Sequence, residues 1–303
     1  MADEIAFNRR FEALPGVVET VAAGVRRVLA PNPGPFTFTG TCSYIIGVGE
    51  VAVIDPGPDD ARHVAALLGA VRGEKVTHIV LTHAHRDHVG ALPAFQAATR
   101  APTYAEGPHR PARVLHLGEA NPLDASSDHR FQPDVVVPDG GRIEGRGWEL
   151  IGVATPGHAA NHMAYALDGT DMLFSGDHVM GWSTSIVAPP DGAMSDYMAS
   201  LHRLLARPER LYLPGHGDVV PDGPGLVRGL IRHREARERA ILDALEAGPL
   251  AIPEIVERVY VGLDPRLKSA AGLSVLAHLE ELVAESVVTT DGAPAIGGTY
   301  RPK

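Results

Sequence analysis

The sequence predicts an α/β protein made of two related layers, each a β-sheet with helices outside, followed by a small helical module. Three observations lead to this fold class. Short β-branched runs end in turns with polar residues, helical patterns fall between these runs, and the alternation occurs in both halves of the chain. An apolar fraction of 45% with 21% charged residues is typical of a globular, core-forming protein.

Five runs are predicted to be buried strands whose following loops project at one edge of the fold. In chain order they are VAVID, VTHIVLTH, LIGVATPGH, MLFSGDH and LYLPGHG. Helical periodicity is present in DARHVAALLGAVRG, HVGALPAFQAATR and SDYMASLHRLLARP. The polar residues after the strands are therefore the first place to look for a functional site.

Two breaks divide the chain. Glu106 to Gly141 is rich in Pro, Asp and Gly, and it is either a long surface connection or a wall over the site. The second break is PDGPG at 221–225, after which three helical patterns and the β-like SVVTTDG indicate a module of winged-helix type. The predicted domains are residues 1–225, an α/β domain that carries the strand-end motifs, and 226–303, a winged-helix-like domain.

Composition excludes several functional classes. The amino terminus lacks the basic and apolar regions of a signal peptide, and no run of about 18 apolar residues is present, which predicts a soluble, cytoplasmic protein without a membrane partner. The single cysteine, Cys42, excludes an internal disulfide and a cysteine-based zinc site. The formal charge of −10 does not indicate a polyanionic partner.

The segment LTHAHRDHVG places four metal-binding side chains within six positions. His83 and His85 are two residues apart, so in an extended segment their side chains point the same way and can hold one ion. Asp87 and His88 begin the next helix, where the chain turns and directs them at a second point. The spacing alone therefore suggests two metal ions.

Three further candidates each follow a predicted strand and adjoin a glycine that allows a tight turn: His158 in TPGH, Asp177 in SGDH and His216 in PGHG. A carboxylate can bridge two cations through its two oxygens, and Asp177 is the candidate for that role. The predicted ligands of one ion are His83, His85 and His158, and those of the other are Asp87, His88 and His216, with Asp177 between them.

Two cations about 3.5 to 4 Å apart lower the pKa of water, so a shared hydroxide becomes available near neutral pH as a nucleophile. The cations also stabilise the negative charge that develops in the transition state. Asp87 would orient the nucleophile, which makes Asp87 and Asp177 the candidate catalytic carboxylates. The predicted reaction class is metal-assisted hydrolysis.

The order HxHxDH, His, Asp, His, with each element after a strand, resembles the metallo-β-lactamase superfamily from about Phe38 to Val219. The resemblance implies a four-layer αββα sandwich with a dinuclear site, usually two Zn²⁺ per chain. Asp55 in IDPG matches another element of the superfamily, which implies a role behind the ligands, where it keeps them oriented. His178 and His162 are expected to line the pocket because they lie next to ligands in the sequence.

The best-known zinc β-lactamases have a cysteine where this chain has Asp177, which argues against a dedicated antibiotic hydrolase. The segment after Asp177 resembles the beta-lactamase-like protein 2 group, which also carries a carboxy-terminal winged helix. That resemblance implies single-stranded RNA as the lead substrate class. Hydrolysis of thioesters, lactones or other small esters, as in glyoxalase II, is the close alternative, and promiscuous β-lactamase activity is compatible with it. Trp182 could stack a base or a flat acyl group, or be a core aromatic.

A winged-helix DNA-binding regulator is the alternative from a different class, and the sequence disfavours it. Residues 226–303 carry 10 Lys and Arg against 11 Asp and Glu, so bulk charge does not favour DNA. The candidate recognition helix LSVLAHLEELVAES contains Glu residues and no Arg or Lys, whereas groove reading requires the opposite sign. The module is therefore expected to form a wall of the cleft or a homodimer surface, with no sequence-specific DNA partner.

Overall fold

The structure is a computed structural model that describes residues 5–117 and 119–303. Two β-sheets pack face to face, and helices cover both outer faces. This confirms the predicted αββα arrangement. No helix in the described parts of the chain combines the length and the apolar character needed to cross a membrane.

The first sheet has seven strands that lie side by side in chain order. They are β1 (Val18–Ala22), β2 (Val25–Leu29), β3 (Cys42–Ile46), β4 (Glu50–Ile54), β5 (Lys75–Val80), β6 (Thr103–Ala105) and β7 (Val135–Val136). The first four are antiparallel neighbours and the last four are parallel. Parallel neighbours need crossover connections, and the crossovers carry α1 (Ala61–Ala70), α2 (Arg86–Val89) and α3 (Leu92–Thr99).

The second sheet has five strands in the order β12-β11-β10-β9-β8. Their bounds are β8 (Arg142–Gly145), β9 (Trp148–Ala154), β10 (Met163–Leu167), β11 (Met172–Gly176) and β12 (Leu211–Pro214). Strands β11 and β12 are parallel, and α4 (Met194–Leu205) connects them. Strands β9, β11 and β12 therefore run the same way, and their carboxyl ends meet at one edge.

The main core lies between the two sheets, where β3 and β4 face β10 and β11. Burial of such apolar surface contributes about 25 cal/mol per Å². Two buried tyrosines tie the sheets together near the ligand-bearing edge. The Tyr165 hydroxyl donates to the Leu81 carbonyl (3.0 Å), and the Tyr44 hydroxyl donates to the Pro214 carbonyl (2.8 Å). The loops that follow β5 and β12 are thereby held at fixed positions.

The carboxy-terminal part is a winged helix, as predicted. It comprises α5 (Gly223–Leu245), β13 (Leu250–Ala251), α6 (Ile252–Val259), α7 (Lys268–Ala284), β14 (Val288–Thr290) and β15 (Thr299–Pro302). The three short strands form an antiparallel sheet in the order β13-β15-β14. Helix α5 belongs to two cores, because Leu230 and Ile231 pack with the second sheet and Ile241 and Leu245 pack with the winged helix.

The segment 106–141 connects β6 to the second sheet and lies against both the loop that follows β5 and α7. Ser127 forms a backbone bridge with His85, and the Asp128 N–H donates to the Ala84 carbonyl (2.9 Å). The Arg113 guanidinium bonds the carboxylate of Glu280 on α7. The segment is therefore more than a surface connection, since it contacts the backbone of a predicted ligand.

Candidate metal centre

All seven predicted ligands meet at the edge of the sandwich where strands of both sheets end. His83 and His85 follow β5, Asp87 and His88 lie on α2, His158 follows β9, Asp177 follows β11, and His216 follows β12. Three overlapping groups of these residues have donor atoms within 4.8 Å of one another: His83, His85 and His158; His83, His88 and Asp177; and Asp87, His88 and His216. Residues far apart in sequence thus converge on one place.

The first group is three imidazoles whose nitrogen atoms crowd one point. His83 Nε2 lies 2.8 Å from His85 Nδ1, and His158 Nε2 lies 3.0 Å from the same atom. The far nitrogens of two of these rings have acceptors: His158 Nδ1 donates to the Ile186 carbonyl (2.7 Å), and His83 Nδ1 lies 3.0 Å from Thr82 Oγ1.

These partners assign the protons in the first group. The Thr82 hydroxyl donates to Asp55 Oδ2 (2.7 Å), so it accepts from His83 Nδ1–H and leaves a lone pair on His83 Nε2. Because His158 Nδ1–H donates to the Ile186 carbonyl, His158 Nε2 also carries a lone pair. Only His85 can place a proton among the three nitrogens, so at least two lone pairs point at one site. A cation at that site fits this donor set.

The second group is formed by the imidazoles of His88 and His216 and the carboxylate of Asp87, and the carboxylate of Asp177 lies beside them. His216 Nε2 lies 3.2 Å from Asp87 Oδ2 and 3.3 Å from Asp177 Oδ2. His88 Nε2 lies 3.5 Å from Asp87 Oδ2 and 3.4 Å from Asp177 Oδ1. The far nitrogen of His216 donates to the Gly40 carbonyl (3.2 Å), and that of His88 donates to Asp55 (2.8 Å). Both Nε2 atoms therefore face the carboxylates.

Asp177 lies between the two groups. Its Oδ2 is 3.7 Å from His158 Nε2 of the first group and 3.3 Å from His216 Nε2 of the second. The buried Oδ1 has no hydrogen-bond partner among the described residues, and the same holds for His88 Nε2. Unpartnered polar atoms are costly in a protein interior, and a metal ion in contact with them would remove that cost.

The two groups differ in their protonation chemistry. In the first, burial and then the neighbouring imidazoles lower the pKa of His83 well below its usual value, and burial lowers that of His85 to about 3. In the second, burial opposes charge on His216, but Asp177 and Asp87 outweigh it and raise the pKa to about 10. Without metal, His83 and His85 are therefore neutral near pH 7.

The second group holds protons when it holds no metal. Burial opposes a charge on His88, yet Asp87, Asp177 and Asp55 raise the pKa of this ring well above its usual value. The pKa of Asp177 is lowered because His216 and His88 outweigh its burial. Metal ions bind deprotonated imidazole, so binding here would release protons and be stronger at higher pH.

Asp55 lies behind the ligands. It is 1% exposed, and its carboxylate accepts from the Thr82 N–H (2.8 Å), the Thr82 hydroxyl (2.7 Å) and His88 Nδ1–H (2.8 Å). The backbone of Asp55 has φ +49°, a conformation that aspartate and asparagine tolerate better than most residues. One carboxylate therefore orients His88 directly and His83 through Thr82.

His162 and His178 flank Asp177 in different ways. His162 Nε2 accepts from the Asp177 N–H (3.1 Å), and its Nδ1 lies 2.8 Å from Thr155 Oγ1, so this ring holds the backbone of Asp177. His178 is buried against Tyr197, with ring centroids 4.6 Å apart, and burial lowers its pKa to about 3. Its ring makes no hydrogen bond with the described residues.

Trp182 stacks on Phe38, with ring centroids 4.9 Å apart and planes at 10°. Gly217, next to His216, allows this approach, because a Cβ there would lie 2.9 Å from the indole ring. Phe38 covers one face of the indole, so that face is not available to a substrate.

The ligand side chains differ in how far they are exposed to solvent. The side chain of Asp87 is 27% exposed, whereas those of Asp177 and His158 are 8% and 9% exposed and that of His216 is 1% exposed. A substrate would therefore approach beside Asp87.

Three groups that support the ligands could not be found from a sequence motif: Thr82, the Ile186 carbonyl and His162. Only His162 has a signal in the sequence, which is its position four residues after His158.

The chain was compared with known proteins. Residues 36–216 match the family model "Metallo-beta-lactamase superfamily", and residues 251–297 match "Beta-lactamase associated winged helix domain". A "Beta-lactamase-like protein 2 homolog" of Drosophila melanogaster is 31% identical over 286 residues, 90% of this chain and 92% of the relative. The "Atrochrysone carboxyl ACP thioesterase AgnL7" of Paecilomyces divaricatus is 31% identical over 276 residues, 87% of this chain and 80% of the relative.

The similarity extends to solved structures. A metallo-β-lactamase family protein from Thermus thermophilus superposes with a TM-score of 0.76 at 25% identity, covering 94% of this chain and all of that one. The match therefore includes the sandwich and the carboxy-terminal module together.

Proposed function

The chain belongs to the metallo-β-lactamase superfamily and is a hydrolase of it, and on that premise we propose that it is a dinuclear zinc enzyme that hydrolyses thioesters. The observation that carries the proposal is the convergence of seven His and Asp side chains in two groups that share Asp177. The family expected from the sequence, including its beta-lactamase-like protein 2 relatives, is confirmed.

The ligand sets proposed for the two ions are those expected from the sequence. His83, His85 and His158 would hold one, while Asp87, His88 and His216 would hold the other, with Asp177 between them. Bound zinc ions would polarise the substrate carbonyl and lower the pKa of a water molecule. An all-His/Asp donor set suits zinc, whose tetrahedral sites accept imidazole nitrogen and carboxylate oxygen.

The side chains of the protein have distinct tasks in this proposal. Asp87 is the most exposed of the acidic ligands, so its carboxylate can accept a hydrogen bond from the attacking water and orient it. Asp55 and His162 keep the ligands His88 and Asp177 in place. The 106–141 segment, paired with His85 at Ser127, limits the entry of bulk water from its side.

Thioesters are preferred over RNA, the lead substrate class from the sequence, for three reasons. A relative that covers most of this chain is named as an acyl carrier protein thioesterase. The chain also carries a formal charge of −10, which opposes a polyanionic substrate. In addition, Phe38 covers one face of Trp182, so a base could not stack on that face.

The test is a hydrolysis panel with zinc-loaded full-length protein. The substrates are an S-acyl pantetheine, S-acyl glutathione, a homoserine lactone, single-stranded RNA and a cephalosporin. We expect the highest kcat/KM for an S-acyl compound. Turnover of RNA above that of every thioester would overturn the substrate proposal and leave the metal proposal standing.

Two variants separate the metal centre from the rest of the protein. Asp177→Ala should abolish hydrolysis, since it removes the carboxylate that both groups share. His233→Ala, on α5, should retain hydrolysis, because His233 belongs to none of the His and Asp groups at the centre. Full activity of Asp177→Ala at confirmed metal content would show that the site is misassigned.

The functional division of the chain is also a proposal, with residues 1–225 as the hydrolase domain and 226–303 as the winged-helix-like domain. The proposed boundary lies within the first turn of α5. A homodimer and a cytoplasmic location stay predictions from the sequence.

A further inference from the structure

Arg234 of α5 is a buried cation whose side chain leaves the winged helix and enters the loop that follows β11. It is 3% exposed. One guanidinium nitrogen donates to the Ser185 carbonyl, another donates to Ser274 Oγ on α7 (3.1 Å), and the guanidinium carbon lies 5.2 Å from the Tyr197 ring centroid. A single side chain thus joins two helices of the carboxy-terminal part and α4 to that loop.

The charge of Arg234 is not used in an ion pair. Within residues 5–117 and 119–303, no carboxylate oxygen lies within 4.0 Å of this guanidinium. Burying a cation without a carboxylate is costly unless it is hydrogen-bonded. The compensation comes from a peptide carbonyl, a hydroxyl and an aromatic face, and of these groups the carbonyl is the one that lies in the loop after β11.

Ser185 and Ile186 are the residues of that loop that hold two predicted metal ligands. The Ser185 hydroxyl donates to the Asp177 carbonyl at 2.6 Å. The Ile186 carbonyl accepts from His158 Nδ1 at 2.7 Å, which directs His158 Nε2 toward the first metal group. The Ser185 carbonyl that Arg234 binds belongs to the peptide between these two residues, so its orientation affects both contacts.

We propose that Arg234 is a positioning residue of the metal centre: by holding the Ser185 carbonyl, it fixes the loop that orients His158 and Asp177. The carboxy-terminal part then completes the hydrolase site through one side chain. The inference rests on the metal site proposed above and is independent of the substrate.

The main test compares Arg234→Met with Arg237→Met. Arg237 lies one turn further along α5, donates to the Val259 carbonyl (2.7 Å) and packs over Tyr260, so it is matched in helix and chemistry but does not reach the loop. Zinc affinity is measured in full-length protein by competition with a chromophoric chelator, beside thermal unfolding of the metal-free proteins.

We expect Arg234→Met to bind at least one zinc equivalent about tenfold more weakly, the lower end of the effect of lost groups behind metal ligands. Arg237→Met should keep wild-type zinc affinity even if its Tm falls. On the best thioester, Arg234→Met should lower kcat and leave KM within about twofold. Folded Arg234→Met that binds both equivalents with wild-type affinity would overturn the proposal.

Two further variants keep the proposal testable if Arg234→Met does not fold. Ser185→Ala removes only the bond to the Asp177 carbonyl, so we expect weaker zinc binding; wild-type affinity would refute the route through the loop. Arg234→Lys retains one donor and should bind zinc more tightly than Arg234→Met. The double variant Arg234→Met/Ser185→Ala should lose less affinity than the product of the single losses, whereas independent effects would contradict a shared route.

Discussion

At the scale of residues, the tautomer of three histidine ligands is set by the partner of the ring nitrogen that faces away from the centre. His158 Nδ1 donates to a peptide carbonyl, His216 Nδ1 to another, and His88 Nδ1 to Asp55. In the neutral ring, these contacts keep the one proton on Nδ1, so Nε2 is the nitrogen that can bind a cation. The spacing of residues within a motif cannot predict the position of this proton, because it depends on groups elsewhere in the chain.

Asp55→Asn tests this control of protonation. Asparagine tolerates the positive φ at this position, but its amide N–H₂ would face His88 Nδ1 and favour the ring form with its proton on Nε2. That proton would block the metal-facing nitrogen. We expect zinc affinity for one equivalent to fall about 10- to 100-fold, as measured by chelator competition.

Asp59→Asn is the matched control, because Asp59 is exposed and four residues away. It should bind zinc like the wild type. Equal affinities of the Asp55→Asn protein and the control would contradict the role given to Asp55.

At the scale of elements, the sequence predicts well whatever follows a local pattern. The strand ends and the motifs HxHxDH, TPGH, SGDH and PGHG mark the ligands, since each ligand follows a buried strand, with Asp87 and His88 on the short helix α2 after β5. The contacts of Arg234 with Ser185 and of Ser127 with His85 could not be predicted, because they join segments more than 40 residues apart and involve backbone groups, which residue types do not mark.

Helix α7 likewise has one feature that the sequence predicts and one contact that it does not. Leu273, Leu276 and Leu279 are buried, as amphipathic spacing predicts. The acidic side has a partner within the chain, since Glu280 is paired with Arg113 of the connecting segment. The sequence pattern identifies the buried face but not the partner of the acidic one.

Glu281 on α7 is expected to make the stability of the folded protein depend on pH. Burial, together with the charges of Glu238, Glu285 and Asp196, raises the pKa of Glu281 to about 7 from 4.5. Between pH 4.5 and pH 7, the folded protein therefore binds more protons than the unfolded chain. The contribution of Glu281 to stability is present below pH 4.5 and is lost as the pH rises through 7. Glu281→Gln should raise the free energy of unfolding at pH 8 by about 1 kcal/mol, a figure discounted for partial exposure.

The measurement is urea unfolding of full-length protein at pH 8 and near pH 4.5, where the variant and the wild type should converge. Glu235→Gln, at an exposed position on α5, should show no such pH-dependent difference. A stability gain that is equal at both pH values would rule out the ionisation of Glu281 as its cause.

At the scale of the whole molecule, two sheets and a carboxy-terminal module share one edge. The first sheet supplies the four ligands of the HxHxDH segment and the second supplies His158, Asp177 and His216. Neither sheet alone brings a complete set together. Helix α5 packs on the second sheet and on the winged helix, so the module is continuous with the site-bearing layer.

The central claim is that these ligands form two sites joined by Asp177. The direct measurement is the zinc content of full-length protein, purified without chelator and equilibrated with zinc, for the wild type, His158→Ala and His216→Ala. The wild type should approach two equivalents, and each variant should hold about one tightly bound equivalent, because each change removes a ligand from a different group. Saturation of the wild type at one equivalent, with no change in His216→Ala, would contradict the dinuclear account.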